Sequence, residues 1–184
     1  MPFRRKLGGR TNYRTRMRLL SSGEFRIVVR KSLKNITASL VKYSPGGDIV
    51  AVTASSRHLA KIGWKADRGN VPAAYLVGCI LARKAEEKGI KKAILDLGLN
   101  KSIKGSRIYA VVAGAVDAGL DIPHDKGVLP PKDRITGKHI EDYCDKIKKN
   151  KDAYEKQFSA YIKNNIDPSS ITKHFEEVKS KIIK

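Results

Sequence analysis

The sequence predicts an α/β fold, in which a three-stranded antiparallel meander and a βα crossover form one mixed sheet with helices packed on it. Two observations lead to this prediction. Three segments before residue 55 have strand-like patterns and are joined by short polar links. Two apolar segments of helical spacing then follow, separated by one short apolar strand. A basic N-terminal arm and C-terminal helices complete the predicted architecture.

The three strands of the meander differ in their patterns. Phe25, Ile27 and Val29 lie on one face and alternate with Arg26, Val28 and Arg30 on the other, which is typical of a half-buried strand. Residues 36–43 alternate in the same way, and a glycine-containing turn follows at residues 44–48. Residues 49–54 are apolar at nearly every position, so we expect this third strand to be the most buried of the three.

Two helices flank the fourth strand. Asn70 is placed to cap the first helix, Pro72 lies in its first turn, and Gly89 ends it. The strand covers residues 93–97. Ser106 is placed to cap the second helix, which ends before residue 119. The polar segment at 55–70 is predicted to be a loop.

The chain divides into four predicted regions: a basic arm (1–22), an α/β core (23–120), a proline-containing connector (121–137) and a helical C-terminal extension (138–184). The connector is expected to be extended. Residues 138–163 are expected to form one helix. A last helix begins near Pro168 and buries Ile171, Phe175 and Val178 on one face.

Composition limits the classes of function. The chain has 184 residues, 38 Lys+Arg against 18 Asp+Glu, and a net charge of +20, while 41% hydrophobic residues argue against wholesale disorder. Its longest uncharged apolar stretch has 12 residues, too few for a bilayer of roughly 30 Å. Cys79 and Cys144 have no metal or disulfide spacing. We therefore expect a soluble intracellular protein with a polyanion partner, and no membrane or small-molecule partner.

Half of the excess charge lies in the first 34 residues, which hold 11 Lys+Arg and one acid, Glu24. Arginine forks match phosphate oxygens, and Tyr13 is available to stack on a base. Residues 1–20 contain no acid and little apolar surface, so we expect no fold of their own there. The favoured interpretation is an arm that becomes ordered on RNA; a disordered solubility tail and an organelle presequence are the alternatives.

Four segments combine cations with small polar residues: 4–18, 26–32, 57–70 and 100–107. Two alternatives stay open: Trp64 stacks on a base or plugs the sheet edge, and Arg26 and Arg30 bind RNA or form a plain solvated face. RNA is favoured for the arginines because no acidic cross-strand partner is evident. The candidate RNA-binding residues are Arg4, Arg5, Arg10, Tyr13, Arg14, Arg16, Arg18, Arg26, Arg30, Lys31, Ser32, Arg57, Lys61, Trp64, Lys65, Arg68, Asn70, Lys101, Lys104 and Arg107.

Enzymatic chemistry is not favoured. The histidines and cysteines share no ligand spacing, and no phosphate-binding or nucleophile motif is present, so we expect no metal, cofactor or catalytic residue. The order of elements resembles that of ribonuclease-H-like folds, whose nucleases need a carboxylate on the first strand. Residues 25–31 offer arginines there instead. A metal-dependent nuclease and a generic cationic RNA chaperone remain the alternative functions.

Five ordered motifs, at residues 26–32, 69–75, 93–98, 104–107 and 118–124, together with residues 11–14, carry a family resemblance. Over roughly residues 1–142 the chain resembles the large-subunit ribosomal protein L eighteen family, called L five in eukaryotes, in its archaeal form. The resemblance implies a cytoplasmic, non-enzymatic ribosomal protein of the translational-machinery-component fold type. It also implies binding to 5S rRNA in the central protuberance, with 23S rRNA and neighbouring large-subunit proteins as partners.

The resemblance implicates particular candidates: Arg10, Tyr13, Arg14, Arg16 and Arg18 of the arm, Arg26, Arg30, Lys31 and Ser32 of the first strand, and the loop before Pro72. These are segments in which the charge is also concentrated. No role is carried over to the C-terminal helices, because the chain is expected to depart from the family beyond about Asp142.

Overall fold

A computed structural model describes residues 3–183, and the elements named here lie within that range. The strands are β1 (Phe25–Lys31), β2 (Ile36–Lys42), β3 (Ile49–Ser55) and β4 (Ala93–Asp96). The helices are α1 (Arg4–Leu7), α2 (Tyr13–Leu20), α3 (Ser56–Ile62), α4 (Val71–Glu86), α5 (Arg107–Asp117), α6 (Lys132–Thr136), α7 (Lys138–Ile147), α8 (Lys151–Lys163) and α9 (Ile171–Ile183).

The four strands form one mixed sheet in the order β3-β2-β1-β4. The β1–β2 and β2–β3 pairs are antiparallel, and β1–β4 is parallel, which confirms the predicted α/β class. The crossover from β3 to β4 does not connect neighbouring strands, because β2 and β1 lie between them. The chain leaves β3 at one edge, passes through α4, and adds β4 at the opposite edge beside β1.

The predicted burial of β3 is wrong. Ile49 and Val50 are 59% and 56% exposed, and only Val52 and Ala54 are buried. The reason is position: β3 is an edge strand, and one of its faces has no layer packed on it. An apolar run therefore does not identify a central strand. Two lysines reach the open edge: Lys88, in the turn just after α4, donates to the Ala51 carbonyl (2.6 Å), and Lys84 of α4 donates to that of Thr53 (3.2 Å).

Helices α4 and α5 form the layer on the other face of the sheet. Ile27, Leu40 and Ala54 point into this core and are fully buried. The two helices touch backbone to backbone, since a Cβ at Gly78 would collide with the Val111 carbonyl, and one at Gly114 with that of Tyr75. The positions of the predicted caps are confirmed, and the Asn70 side chain accepts from the Ala73 amide (2.9 Å). The Ser106 hydroxyl makes no such bond.

Three predictions for the connecting and C-terminal segments are wrong. The segment at 55–70 contains α3, which Ser55 caps and Gly63 ends in the left-handed conformation (φ 106°). The connector contains a 3-10 turn and α6. Residues 138–163 form two helices, because the chain breaks at Lys148 and Asn150 then caps α8. Ser55 and Asn150 cap α3 and α8 with their side chains, whereas α6 and α7 begin without a side-chain cap, and the apolar pattern alone does not reveal these boundaries.

The last helix packs on the core as predicted. Ile171, Phe175 and Val178 of α9 are all buried. The ring of Phe175 lies 5.6 Å from that of Tyr75 on α4, and the Tyr75 hydroxyl donates to Asp117 of α5 (2.7 Å). Helices α4, α5 and α9 are thus joined around one aromatic side chain. Within residues 3–183, every helix is too short or too polar to cross a bilayer.

Candidate nucleic-acid interface

One face of the sheet is not covered by helices. Side chains alternate between the two faces along a strand, so the residues between the buried ones point to this open face. They are Val28 and Arg30 of β1, which lie beside Ser39 and Thr37 of β2. Ser39 is joined to Thr53 of β3 by a hydroxyl–hydroxyl bond of 3.1 Å. The open face therefore presents hydroxyl groups and cations, which suit phosphate and sugar oxygens.

The N-terminal segment and the loop after β4 border this face and turn it into a concavity of about 650 Å³. Its lining contains six cations and two carboxylates. The cations are Arg5, Arg10, Arg16, Arg26, Arg30 and Lys31, and the carboxylates are Asp48 and Asp96. The concavity is thus strongly positive, which attracts polyanions and raises their rate of association.

The interpretation of Arg26 needs correction. Its side chain is only 2% exposed and is paired with two carboxylates, at 2.7 Å to Asp96 and 2.8 Å to Asp48. The prediction that it lacks an acidic partner is therefore wrong. The Asp96 partner lies on the neighbouring parallel strand and Asp48 in the β2–β3 turn, and neither relationship follows from local sequence. A buried arginine engaged in this way is part of the structure beneath the open face.

Asp48 connects the core to the N-terminal segment. Its second oxygen accepts a hydrogen bond of 2.7 Å from Arg16 of α2. Partial burial acts to raise the pKa of Asp48, but the adjacent guanidinium groups of Arg26 and Arg16 outweigh it and hold the pKa below the ordinary value of 3.8. The carboxylate is therefore ionised at neutral pH and fixes Arg16 above the sheet.

The N-terminal segment has more structure than expected. Residues 4–7 and 13–20 are helical, and the rings of Phe3 and Tyr13 stack with centroids 4.9 Å apart. The expectation of no local fold is wrong at these residues. Its physical basis still holds, because neither helix buries a residue. Five arginines of the segment are exposed, namely Arg4, Arg5, Arg10, Arg14 and Arg18.

The turn from β1 to β2 lies at the rim of the concavity. Arg30, Lys31 and Ser32 are exposed there. The Ser32 hydroxyl donates to the Asn35 carbonyl and accepts from the Asn35 amide, both at 2.9 Å, and so closes the turn. Two cations are thereby held at a defined place on a rigid strand end.

The basic segment at 57–70 is anchored rather than loose. Arg57, Lys61 and Lys65 are exposed and Arg68 is half-buried. Trp64 is 1% exposed and its indole donates to the Asp67 carbonyl (3.1 Å), so it is not available to stack on a base. Of the two interpretations of this residue, the structure favours packing within the protein over stacking on a base, because the Trp64 side chain is buried. It packs on a C-terminal helix rather than on the sheet edge, with its ring 5.2 Å from that of His174.

Arg107 joins two of the predicted basic segments. Its guanidinium donates to the Ser32 carbonyl (3.1 Å) and to the Gly69 carbonyl (2.8 Å). Gly69 itself has no room for a side chain, because a Cβ there would lie 2.6 Å from the Leu33 carbonyl. Arg107 and Asn70 are thus engaged with backbone groups, whereas Lys101 and Lys104 of the nearby loop remain exposed.

Sequence reasoning missed Asp48, Asp96, Asn164 and His174, which hold the candidate cations in place from distant parts of the chain. Contacts that span 70 residues or more leave no local pattern. Across the part of the chain that the structure describes, no group of three or more His, Cys, Asp or Glu side chains could hold a metal ion.

A basic α/β domain with an open, cationic sheet face and a cationic N-terminal segment is typical of the protein components of ribonucleoprotein particles. The chain belongs to the family of ribosomal large subunit proteins 60S L5 and 50S L18, whose family model matches residues 1–91 and 84–125. It is also similar to the large ribosomal subunit protein uL18 of Methanococcus maripaludis. The two are 46% identical over 183 residues, which cover 100% of this chain and 95% of the relative.

Membership confirms the resemblance found in the sequence and assigns the chain to the large ribosomal subunit, and hence to translation on the cytoplasmic ribosome. The family is one of ribosomal proteins rather than of enzymes. The expected departure beyond residue 142 does not apply to the archaeal relative, since the alignment extends through the C-terminal helices.

Proposed function

We propose that this protein binds 5S rRNA and helps to anchor it in the central protuberance of the large ribosomal subunit. The observation that carries the proposal is the concave sheet face, where Arg30, Lys31 and the exposed arginines of the N-terminal segment surround a surface of hydroxyl groups. Such a surface holds a sugar–phosphate backbone in a fixed orientation. The choice of 5S rRNA rests on the family resemblance, and 23S rRNA and neighbouring large-subunit proteins are the further partners proposed.

The position of Arg26 argues against the nuclease alternative. In a two-metal nuclease, carboxylates on adjacent strands hold the cations that activate water. Here Asp96 and Asp48 stand at the open face of the sheet, but the guanidinium of Arg26 lies between them. Its fixed positive charge occupies the place that a divalent cation would need and repels one. Both carboxylates therefore serve to hold an arginine.

Competition binding tests the proposal. The full chain is titrated with labelled 5S rRNA at physiological salt, with transfer RNA as competitor and Mg²⁺ present throughout. We expect 5S rRNA to bind at least about tenfold more tightly than transfer RNA, because bulk charge alone does not discriminate between them. Equal affinities would instead support a generic cationic RNA chaperone. Shortening of the labelled RNA, abolished in an Asp96→Asn variant, would support a nuclease.

A further inference from the structure

The backbone of Lys65 is held on both sides by the C-terminal helices. The Lys65 amide donates to Nε2 of His174 on α9 (3.3 Å), and the Lys65 carbonyl accepts from Nδ2 of Asn164 at the end of α8 (2.8 Å). These bonds span 109 and 99 residues of sequence. A surface residue whose two backbone groups are both satisfied by distant side chains has little freedom to move.

The neighbouring residues are fixed by the same helices. The ring of His174 stacks on Trp64, with centroids 5.2 Å apart and planes 13° from parallel. The Trp64 indole donates to the Asp67 carbonyl, which closes the turn around Lys65. The segment from 64 to 67 is therefore held by a stacked ring and three hydrogen bonds that involve side chains, while the Lys65 side chain remains exposed.

We propose that the C-terminal extension acts as a splint for RNA binding, in which Asn164 and His174 are positioning residues that present Lys65 and the nearby Arg68 in a fixed arrangement. This inference rests on the proposed function, since it assigns a part of the RNA surface. Cations that are already ordered lose less conformational freedom when they meet phosphates, so they bind more tightly than the same cations on a mobile loop. The helices thereby contribute to RNA affinity without touching RNA at these residues.

A double-mutant cycle with the full chain tests the splint. His174→Phe keeps a ring against Trp64 but removes the acceptor for the Lys65 amide, and Asn164→Ala removes the donor to the Lys65 carbonyl. Each is expected to weaken 5S rRNA binding on the order of threefold to tenfold, as for the loss of one hydrogen bond. In a Lys65→Gln/Arg68→Gln background the same changes should have almost no further effect, because the cations that they position are absent.

Controls separate this role from a structural one. Ser180→Ala alters an exposed position of the same helix α9 and should leave RNA binding unchanged. The thermal transition of each variant is measured to confirm that it folds. If His174→Phe fails to fold, Asn164→Ala alone provides the test. Additive losses in the double-mutant cycle, or wild-type affinity in both positioning variants, would overturn the inference.

Amide exchange of Lys65 in the RNA-free protein distinguishes the two proposals. We expect exchange to be faster in His174→Phe by about tenfold, because its hydrogen bond is lost. Unchanged exchange would overturn the splint even if 5S rRNA binds normally. If exchange accelerates but the wild-type chain does not bind 5S rRNA, the proposed function is wrong. The C-terminal helices then hold Lys65 in place, but not for RNA binding.

Discussion

The Arg26 guanidinium and the Asp96 carboxylate lie 2.7 Å apart across the parallel β1–β4 pair, and the arginine side chain is 2% exposed. This ion pair links β1 to β4, the strand that the crossover adds to the sheet. Since the second carboxylate of the site, Asp48, also depends on Arg26, the arginine stabilises two acidic groups at once. Its removal should therefore affect folding more than RNA binding.

The first prediction concerns the stability of this site. Arg26→Gln is expected to lower the free energy of unfolding by about 3 kcal/mol, because it leaves the largely buried Asp96 carboxylate without a partner and Asp48 with Arg16 alone. Chemical denaturation provides the measurement. Arg30→Gln on the same strand is the matched control and should change stability by less than about 0.5 kcal/mol, since Arg30 is exposed. Equal effects would show that the Arg26 pairs contribute nothing.

The second prediction concerns specificity at the sheet face. Arg30 is exposed on a rigid strand at the rim of the concavity, so Arg30→Gln should weaken 5S rRNA binding about fivefold and transfer-RNA binding less. A fixed cation recognises a particular backbone shape, whereas a mobile one accepts many. Competition binding with the two RNAs measures the difference. If both affinities fall by the same factor, the sheet face contributes only charge.

The third prediction concerns the N-terminal segment. Deletion of residues 1–20 removes the five exposed arginines and should reduce the magnitude of the slope of log K against log[salt] by about 3.5 to 4.5, as each phosphate contact contributes roughly 0.7 to 0.9. The thermal transition should fall only slightly, because neither α1 nor α2 buries a residue. A large drop would show that the Arg16–Asp48 pair is essential to the fold.

The fourth prediction concerns pH. Burial lowers the pKa of His174 below 6.5; Glu177, with an oxygen 3.9 Å away, acts to raise it, and Lys65 and Lys181 lower it further. Above pH 6.5 the imidazole is neutral in both the folded and unfolded chains. As the pH falls below 6.5, the unfolded chain takes up the proton first, so the free energy of unfolding decreases until the folded-state pKa is passed.

Denaturation at several pH values between 7.5 and 5 tests this expectation. His174→Gln should show a smaller decrease in stability over that range than the wild-type chain. Burial also lowers the pKa of His139, but that residue is present in both proteins, so the difference between the two profiles isolates His174. Parallel profiles would mean that His174 titrates normally in the folded protein.

Local patterns in the sequence were sufficient for much of the fold. The meander, the caps at Asn70 and Ser106 and the buried face of α9 follow from spacing and composition, because each depends on near neighbours. The roles of Arg26 and Trp64 depended on residues far along the chain. An arginine on a strand and a tryptophan in a basic loop look the same in sequence whether their partners are carboxylates, a helix or RNA.

The same limit applies to the candidate interface. Charge along the chain identified the cationic segments, but not which cations remain free after folding. Arg26 and Arg107 are engaged with protein groups, whereas Arg30, Lys31 and Lys65 keep their side chains exposed. That division is set by strand register and by helix packing, which only the folded chain reveals.

The two lysines that reach the β3 edge bear on self-association. An unpaired strand edge is a template on which a second copy can add its own strand. With Lys84 and Lys88 bonded to the outward carbonyls of Thr53 and Ala51, a second copy must displace two ammonium groups and bring its own excess of positive charge close to them. The C-terminal end of α4 and the turn after it thus protect this strand, with its exposed Ile49 and Val50, from edge-to-edge aggregation.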